Sequence, residues 1–214
     1  MKKIIAVDGP AGAGKSTVSK IVAAELGYTY IDTGAMYRAV GLKIFESGQS
    51  LTEKFLAEVT EKIEIELDKS ARVFVNGEEV TKKIRTPEVS RLASDVSKFD
   101  FVRKKLTELQ RKMAAQGKVI MDGRDIGTVV LPNADLKIFL TASIEERARR
   151  RFDELTAKGQ AVELPAIEKE IAARDKQDSE RKIAPLKKAD DAILLDTTKL
   201  TVEEVVEKIL ELAR

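Results

Sequence analysis

The chain has 214 residues, of which 43% are hydrophobic and 35% charged, with a net charge of +2. This balance predicts one soluble globular domain, with or without an insertion, and argues against bulk binding of nucleic acid. Cysteine and histidine are both absent. Their absence excludes disulfides, thiolate chemistry and the commonest general base and zinc ligand. Catalysis must therefore run on carboxylates, Lys, Arg, hydroxyls or an added metal. Met1-Lys2-Lys3 precedes only four apolar residues, too few for a signal peptide, and no run approaches membrane-spanning length. The expected location is the cytoplasm, with no membrane partner.

In chain order, the apolar run Ile4-Ile5-Ala6-Val7 predicts a buried strand. It leads into Gly9-Pro10-Ala11-Gly12-Ala13-Gly14-Lys15-Ser16, followed by Thr17, a full match to G-x-x-x-x-G-K-[ST]. Val18, Ile21, Val22 and Leu26 continue at helical spacing, and Gly27 caps the helix. A phosphate chain needs many close donors. Glycines let the backbone turn its N–H groups inward, and the next helix adds its free N–H groups and dipole. Lys15 suits the β- and γ-phosphates as a point charge, and the Ser16 hydroxyl suits Mg²⁺. The motif implies a nucleoside triphosphate without saying what is done with it.

Tyr28–Ile31 predicts a second strand, ending in Asp32-Thr33-Gly34-Ala35-Met36-Tyr37-Arg38. Polar clusters at the carboxyl ends of parallel strands bind ligands. A helix capped by Thr33, with Arg38 in solvent, fits the same pattern. Helices follow through Val40 and Ile44 and from Thr52. The period then changes: Ile63–Leu67 alternates, and Arg72–Val80 spells strand, Asn-Gly turn, strand. Residues of about 63–85 read as an antiparallel insertion that shapes a site or covers an edge.

Thr86-Pro87 restarts helix, with Val89, Leu92, Ala93 and Val96 as its buried face. Asp100 is expected to cap a second helix, carrying Val102, Leu106, Leu109 and Met113 and ending at Gly117. Ser94 and Arg103 lie off these stripes, and by pattern alone they read as surface. Val119–Met121 is a strand running into Asp122-Gly123-Arg124-Asp125. Downstream of a phosphate loop, Asp122 suits Mg²⁺ or its waters.

Leu136–Leu140 predicts another strand, and Ser143 with Glu146 a capping box. Arg147, Arg149, Arg150 and Arg151 cannot share one helical face, so some are solvated and one or two are free to reach the phosphate site. After Pro165, the residues Ile167, Ile171, Arg174, Asp178 and Arg181 form one stripe that turns from apolar to charged. That predicts a helix anchored in a core and ending in a polar cleft, although surface pairing among the charged residues fits too. Ala192–Asp196 predicts the last sheet strand. Thr201 with Glu204 caps a final helix expected to bury Val202, Val205, Val206, Ile209 and Leu210. The fold class is α/β: a doubly wound, five-stranded parallel sheet with the phosphate loop after a central strand.

Over essentially its whole length the chain resembles the bacterial cytidylate kinases, nucleoside monophosphate kinases of the P-loop class. The resemblance is carried by Gly9–Thr17, Asp32–Arg38, Ile84–Val89, Asp122–Val130, and Arg174–Arg181 with Ala184-Pro185-Leu186. It implies a single P-loop kinase domain with core segments of about 1–35, 117–143 and 183–214. The monophosphate-binding region would span about 36–116 and a short helical lid about 144–182. It implies Mg²⁺-dependent transfer from ATP to CMP or dCMP, by a monomer whose partners are small nucleotides and not nucleic acid. By position it implies that Ser94, Arg103 and Asp125 read cytosine. Arg174 and Asp178 would hold the ribose, and Arg38, Arg124 and Arg181 the acceptor phosphate, with Thr33 nearby. Lys15, Arg124, Arg174 and Arg181 would be the catalytic cations, and Ser16 and Asp122 the metal ligands.

A monophosphate acceptor is already anionic, so no histidine base is needed. The site has only to bring phosphates together and neutralise them. Two other functions fit the phosphate loop: a kinase for a different small acceptor, and a non-catalytic ATP-binding protein.

Overall fold

A computed structural model describes residues 3–68, 70–157 and 159–214; Met1 and Lys2 of the basic N-terminal reading lie outside them. In chain order the elements begin with β1 (Ile4–Asp8), α1 (Lys15–Leu26), β2 (Thr29–Asp32), α2 (Thr33–Ser47) and α3 (Glu53–Lys62). Next come β3 (Ile65–Leu67), β4 (Val73–Val75), β5 (Glu78–Glu79), α4 (Pro87–Val96) and α5 (Asp100–Ala114). Then follow β6 (Val119–Gly123), β7 (Leu136–Thr141), α6 (Ile144–Ala157), α7 (Leu164–Glu180), β8 (Ile193–Asp196) and α8 (Val202–Ala213). The chain forms two compact units, one from Met1–Tyr28 with Lys118–Arg214 and one from Thr29–Gly117.

The main sheet has five strands with β1 at its centre. β1 is parallel to β6 with Ile5 beside Ile120, and to β7 with Val7 beside Ile138. β8 lies parallel outside β7, and β2 completes the five. The central position explains the unbroken apolar run of β1, since Ile5, Ala6 and Val7 are buried on both faces.

α1 is bracketed by left-handed glycines, Gly14 and Gly27. α8 opens with the full Thr201–Glu204 capping box. Val18 and Val22 of α1 and Val205, Val206 and Ile209 of α8 are buried, but Ile21 and Val202 are 38% and 39% exposed. For Val202 this corrects the expectation that the last helix buries it. Val202 is the first residue of α8, one turn before Val205 and Val206 enter the core, and Ile21 lies about 100° around α1 from buried Val22. In the same unit α6 and α7 share a small core of Ala148, Leu155, Ile167 and Ile171.

The second unit has its own core, including Met36, Val40, Leu56, Val75, Ile84, Val89 and Leu106. β3 and β4 are antiparallel, with Ile65 opposite Val75. β4 turns into β5 through Asn76-Gly77, both at positive φ (51° and 81°) as the two-residue hairpin requires. The Thr86 hydroxyl caps α4, accepting from the Val89 N–H. Two expected caps are corrected. α2 is capped by Asp32, whose carboxylate accepts from the Ala35 N–H at 2.8 Å, and Thr33 is the first helical residue. α5 is preceded by Phe99, and Asp100 instead pairs with Lys104 one turn on, at 2.7 Å.

Candidate active site

The loop between β1 and α1 is shaped by one backbone demand. Gly9 has φ +148°, and a Cβ there would run into the Leu140 carbonyl oxygen of β7. No other residue fits. The loop delivers Lys15 to the first turn of α1, where it is buried and donates to the Pro10 carbonyl at 2.7 Å. The next residue, Ser16, donates its hydroxyl to Asp122 Oδ2 at 2.8 Å. Asp122 stands on β6 in register with Val7, so strand pairing carries it to the loop. Burial, then the neighbouring Arg124 and Arg174, push the Lys15 ammonium well below its ordinary pKa, while Asp122 and Asp8 oppose the shift. The loop base is thus a dry place with an excess of positive charge.

Beyond Asp122 the same unit assembles the charged end of the α7 stripe. Arg124 Nε donates to Asp178 Oδ2 at 2.9 Å. Arg181 lies 3.5 Å from Asp125 Oδ1 and 3.8 Å from Asp178 Oδ1. Ile167, Ile171 and Asp178 are buried and Arg174 is half-buried, so the stripe runs from the core into a polar cluster as its pattern predicted. Burial alone would raise the Asp178 carboxyl, but Arg124, Arg174 and Arg181 hold it below its ordinary value. Arg181 is fixed from behind: its Nε donates to the Ala184 carbonyl at 2.5 Å. Ala184 takes a positive φ of 48° directly before Pro185, which turns that carbonyl back.

The four arginines of α6 divide. Arg149 and Arg151 form exposed pairs with Glu146 and Glu154. Arg147 is buried: it donates to Ala142 and Ala11 carbonyls at 2.9 and 3.1 Å and pairs with Asp175 at 2.7 Å. It ties the phosphate loop to α6 and α7. Arg150 donates to the Thr197 carbonyl at 2.7 Å.

In the second unit, Asp32 is buried and receives two guanidinium groups, Arg38 and Arg85, each at 3.0 Å. Burial would raise the Asp32 carboxyl; the two arginines and the Ala35 N–H outweigh it and hold it low. Thr33 is buried beside it in sequence. Arg103, expected at the surface, is 4% exposed. Its guanidinium lies 5.5 Å from the Tyr37 ring centroid and donates to the Ser97 carbonyl at 3.2 Å. A cation stacked on an aromatic face and bonded to a carbonyl tolerates burial that apolar spacing does not foresee. Ser94, one turn before Ser97 on α4, is half-buried, not a surface residue, and its carbonyl accepts from the Ser97 hydroxyl.

Each unit therefore gathers its own subset: Lys15, Ser16, Asp122, Arg124, Asp125, Arg174, Asp178 and Arg181 in one, Thr33, Arg38, Ser94 and Arg103 in the other. Sequence reasoning gave Asp8 no part, and it named Asp32, Arg85 and Arg147 only within larger groups: the Asp32–Arg38 cluster, the Ile84–Val89 segment and the four arginines of α6. Asp8 and Asp32 share one further signal, an acid closing an apolar strand.

A family model for cytidylate kinase matches residues 5–214. A cytidylate kinase of Caldicellulosiruptor bescii is 56% identical, covering 99% of this chain and 96% of its own length. One from Bacillus subtilis is 52% identical, covering 98% and 96%. Among solved structures, a shikimate kinase from Bacteroides thetaiotaomicron superposes with a TM-score of 0.51 at 14% identity, covering 99% of this chain and 98% of its own. That likeness concerns the fold alone. The chain belongs to the cytidylate kinase family.

Proposed function

We propose that this chain transfers the γ-phosphoryl group of MgATP to the phosphate of CMP or dCMP, giving ADP and the diphosphate. The observation that carries the reading is the buried Lys15 of the phosphate loop, with Ser16 2.8 Å from Asp122, in the same unit as the Arg124–Asp178–Arg181 cluster. Burial first, then the positive charge of Arg124 and Arg174, holds the Lys15 ammonium below its ordinary pKa, against Asp122 and Asp8. A polyphosphate relieves that repulsion, which is why such a cluster is worth its folding cost.

The loop Gly9–Thr17 holds the ATP phosphates. Magnesium, when bound, supplies charge neutralisation between the β- and γ-phosphates. The Ser16 hydroxyl and Asp122 carboxylate, already 2.8 Å apart, are hard oxygen donors suited to it. Among the described residues no cluster of three acidic side chains could hold a metal by itself.

On the acceptor side, Arg124 and Arg181 grip the CMP phosphate with Arg38, Thr33 nearby. Arg174 and Asp178 hold the ribose, and Ser94, Arg103 and Asp125 read cytosine. The monophosphate-binding region spans about 36–116, the lid about 144–182, and the protein works as a monomer in the cytoplasm. The acceptor oxygen is already charged, so no side chain removes a proton. One P–O bond to ADP breaks as another forms to CMP, and the arginines stabilise the shared charge. An alcohol acceptor would favour a carboxylate base, and the Asp178 carboxylate is committed to arginine.

The test is ADP release with purified protein, MgATP and a panel of nucleoside monophosphates, shikimate and simple sugars. CMP and dCMP should be the preferred acceptors. Turnover with none of them, or faster turnover with an alcohol, would overturn the proposal.

A further inference from the structure

Asp8 has so far appeared only as a negative charge acting on Lys15. It is the last residue of β1, immediately before Gly9, and is 4% exposed. Its carboxylate accepts two backbone N–H groups, Ile126 at 2.8 Å through Oδ1 and Gly127 at 2.7 Å through Oδ2. These two amides directly follow Arg124 and Asp125, and they open a single π-helical turn, Ile126–Val130. Strand pairing alone holds this segment only as far as Gly123, the register partner of Asp8. Past that point the backbone leaves the sheet, and the two Asp8 bonds fasten the start of the turn to β1.

We propose that Asp8 is a positioning residue for the acceptor side: through Ile126 and Gly127 it fixes the backbone from which Arg124 and Asp125 project. The geometry favours this over a role in the phosphate loop. Both carboxylate oxygens are bonded to the turn, and the loop carries its own fixings in Gly9 and Arg147. The surroundings are tight. A Cβ on Gly127 would lie 3.4 Å from Asp8 Oδ2, and 3.1 and 3.3 Å from the buried stem of Lys137. Lys137 is in turn paired with Asp191 at 2.8 Å. The turn is thus closely packed on this side, and a shift of under an ångström at Arg124 or Asp125 matters to reacting groups that must be held in line.

The inference rests on the CMP reading of Arg124 and Asp125. Its test is Asp8→Asn beside the wild-type protein. The amide keeps the size of the side chain but presents an NH₂ to one of the two N–H groups. Amide exchange at Ile126 and Gly127 should accelerate, and kcat/KM for CMP should fall about tenfold or more. The preference for CMP over UMP should narrow, while the Kd for ATP stays within about threefold, a split that general loosening of the fold would not give. Wild-type kinetics and wild-type CMP preference would overturn the proposal, as would equal losses for ATP and CMP. If Asp8→Asn does not fold, Gly127→Ala strains the same turn from its other side and must show the same split or the proposal fails. Absence of CDP from the wild-type protein would sink the CMP reading instead, and is scored separately.

Discussion

Ser16 and Asp122 stand 106 residues apart in the chain, yet the hydroxyl of one donates to the carboxylate of the other at 2.8 Å. The pairing follows from two placements. Ser16 is held by the start of α1, and Asp122 by the parallel register of β6 on β1. Replacing Asp122 by Asn keeps the shape and removes the charge. The magnesium concentration for half-maximal CDP formation should rise at least about tenfold. A metal titration of the variant checks this, with circular dichroism to establish that the sheet is intact.

Lys15 should be the costliest single residue of the loop to lose. In Lys15→Ala, kcat should fall on the order of 10²–10³-fold, because a buried cation aimed at transferring phosphate is worth most where water is excluded. Steady-state kinetics at saturating CMP give the number. Removing a depressed, crowded ammonium should not itself unfold the protein, which a thermal melt will show.

The Arg124–Asp178 pair ties catalysis to stability. Asp178 is buried and accepts from Arg124, with Arg181 behind it. Arg124→Ala should lower kcat/KM for CMP about a hundredfold or more. It should also destabilise the protein, by about 1–3 kcal/mol, since the buried carboxylate loses its hydrogen bond from Arg124 while Arg174 and Arg181 remain beside it. Arg124→Ala with Asp178→Asn should recover part of the stability and none of the activity. A denaturant series on the four proteins of the cycle tests both halves.

Asp125 should govern base choice. An ionised carboxylate suits the amino group of cytosine and is poorly paired by the carbonyl of uracil. In Asp125→Ala the ratio of kcat/KM for CMP over UMP should drop by about 10²-fold, mostly through loss of CMP activity. Competition between the two monophosphates in one assay measures the ratio directly.

Stability should depend on pH in two opposed windows. Burial raises the Asp8 carboxyl to about 6, against its hydrogen bonds to Gly127 and Ile126. The folded protein then holds that proton more tightly than the unfolded chain, whose carboxyl titrates near about 4. Stability from this group is therefore lost as pH rises from about 4 to 6, a cost of about 3 kcal/mol above that window. Asp32 and Asp178 act the other way. Their folded values are depressed, so they stabilise above the unfolded value and that stability is lost as pH falls through the folded one. Melting Asp8→Asn beside the wild-type protein from pH 4 to 7 isolates the first effect. The wild type should lose ground to the variant as pH rises, and a flat difference would refute it.

Much of this protein was legible in its residues alone. The apolar run before Gly9, the alternation of helix and strand, the Asn76-Gly77 hairpin and the Thr86 and Thr201 caps are local signals, governed by backbone and side-chain preferences within a few residues. The α7 stripe was legible for the same reason: helical spacing alone places Ile171 and Asp178 on one line. What only the tertiary structure decided are the contacts that join distant segments. The burial of Arg103 depends on the Tyr37 ring from another helix, and that of Arg147 on the Ala11 carbonyl and Asp175. The exposure of Ile21 and Val202 depends on how far the packing of α1 and α8 reaches. Asp8 is the plainest case. In sequence it is one more acid at a strand end. Its two amide partners, 118 and 119 residues away, exist for it only once β6 lies beside β1. Local propensity sets the elements, but the partner of a buried charge is chosen by whichever segment the fold brings within 3 Å, a distance no local pattern encodes.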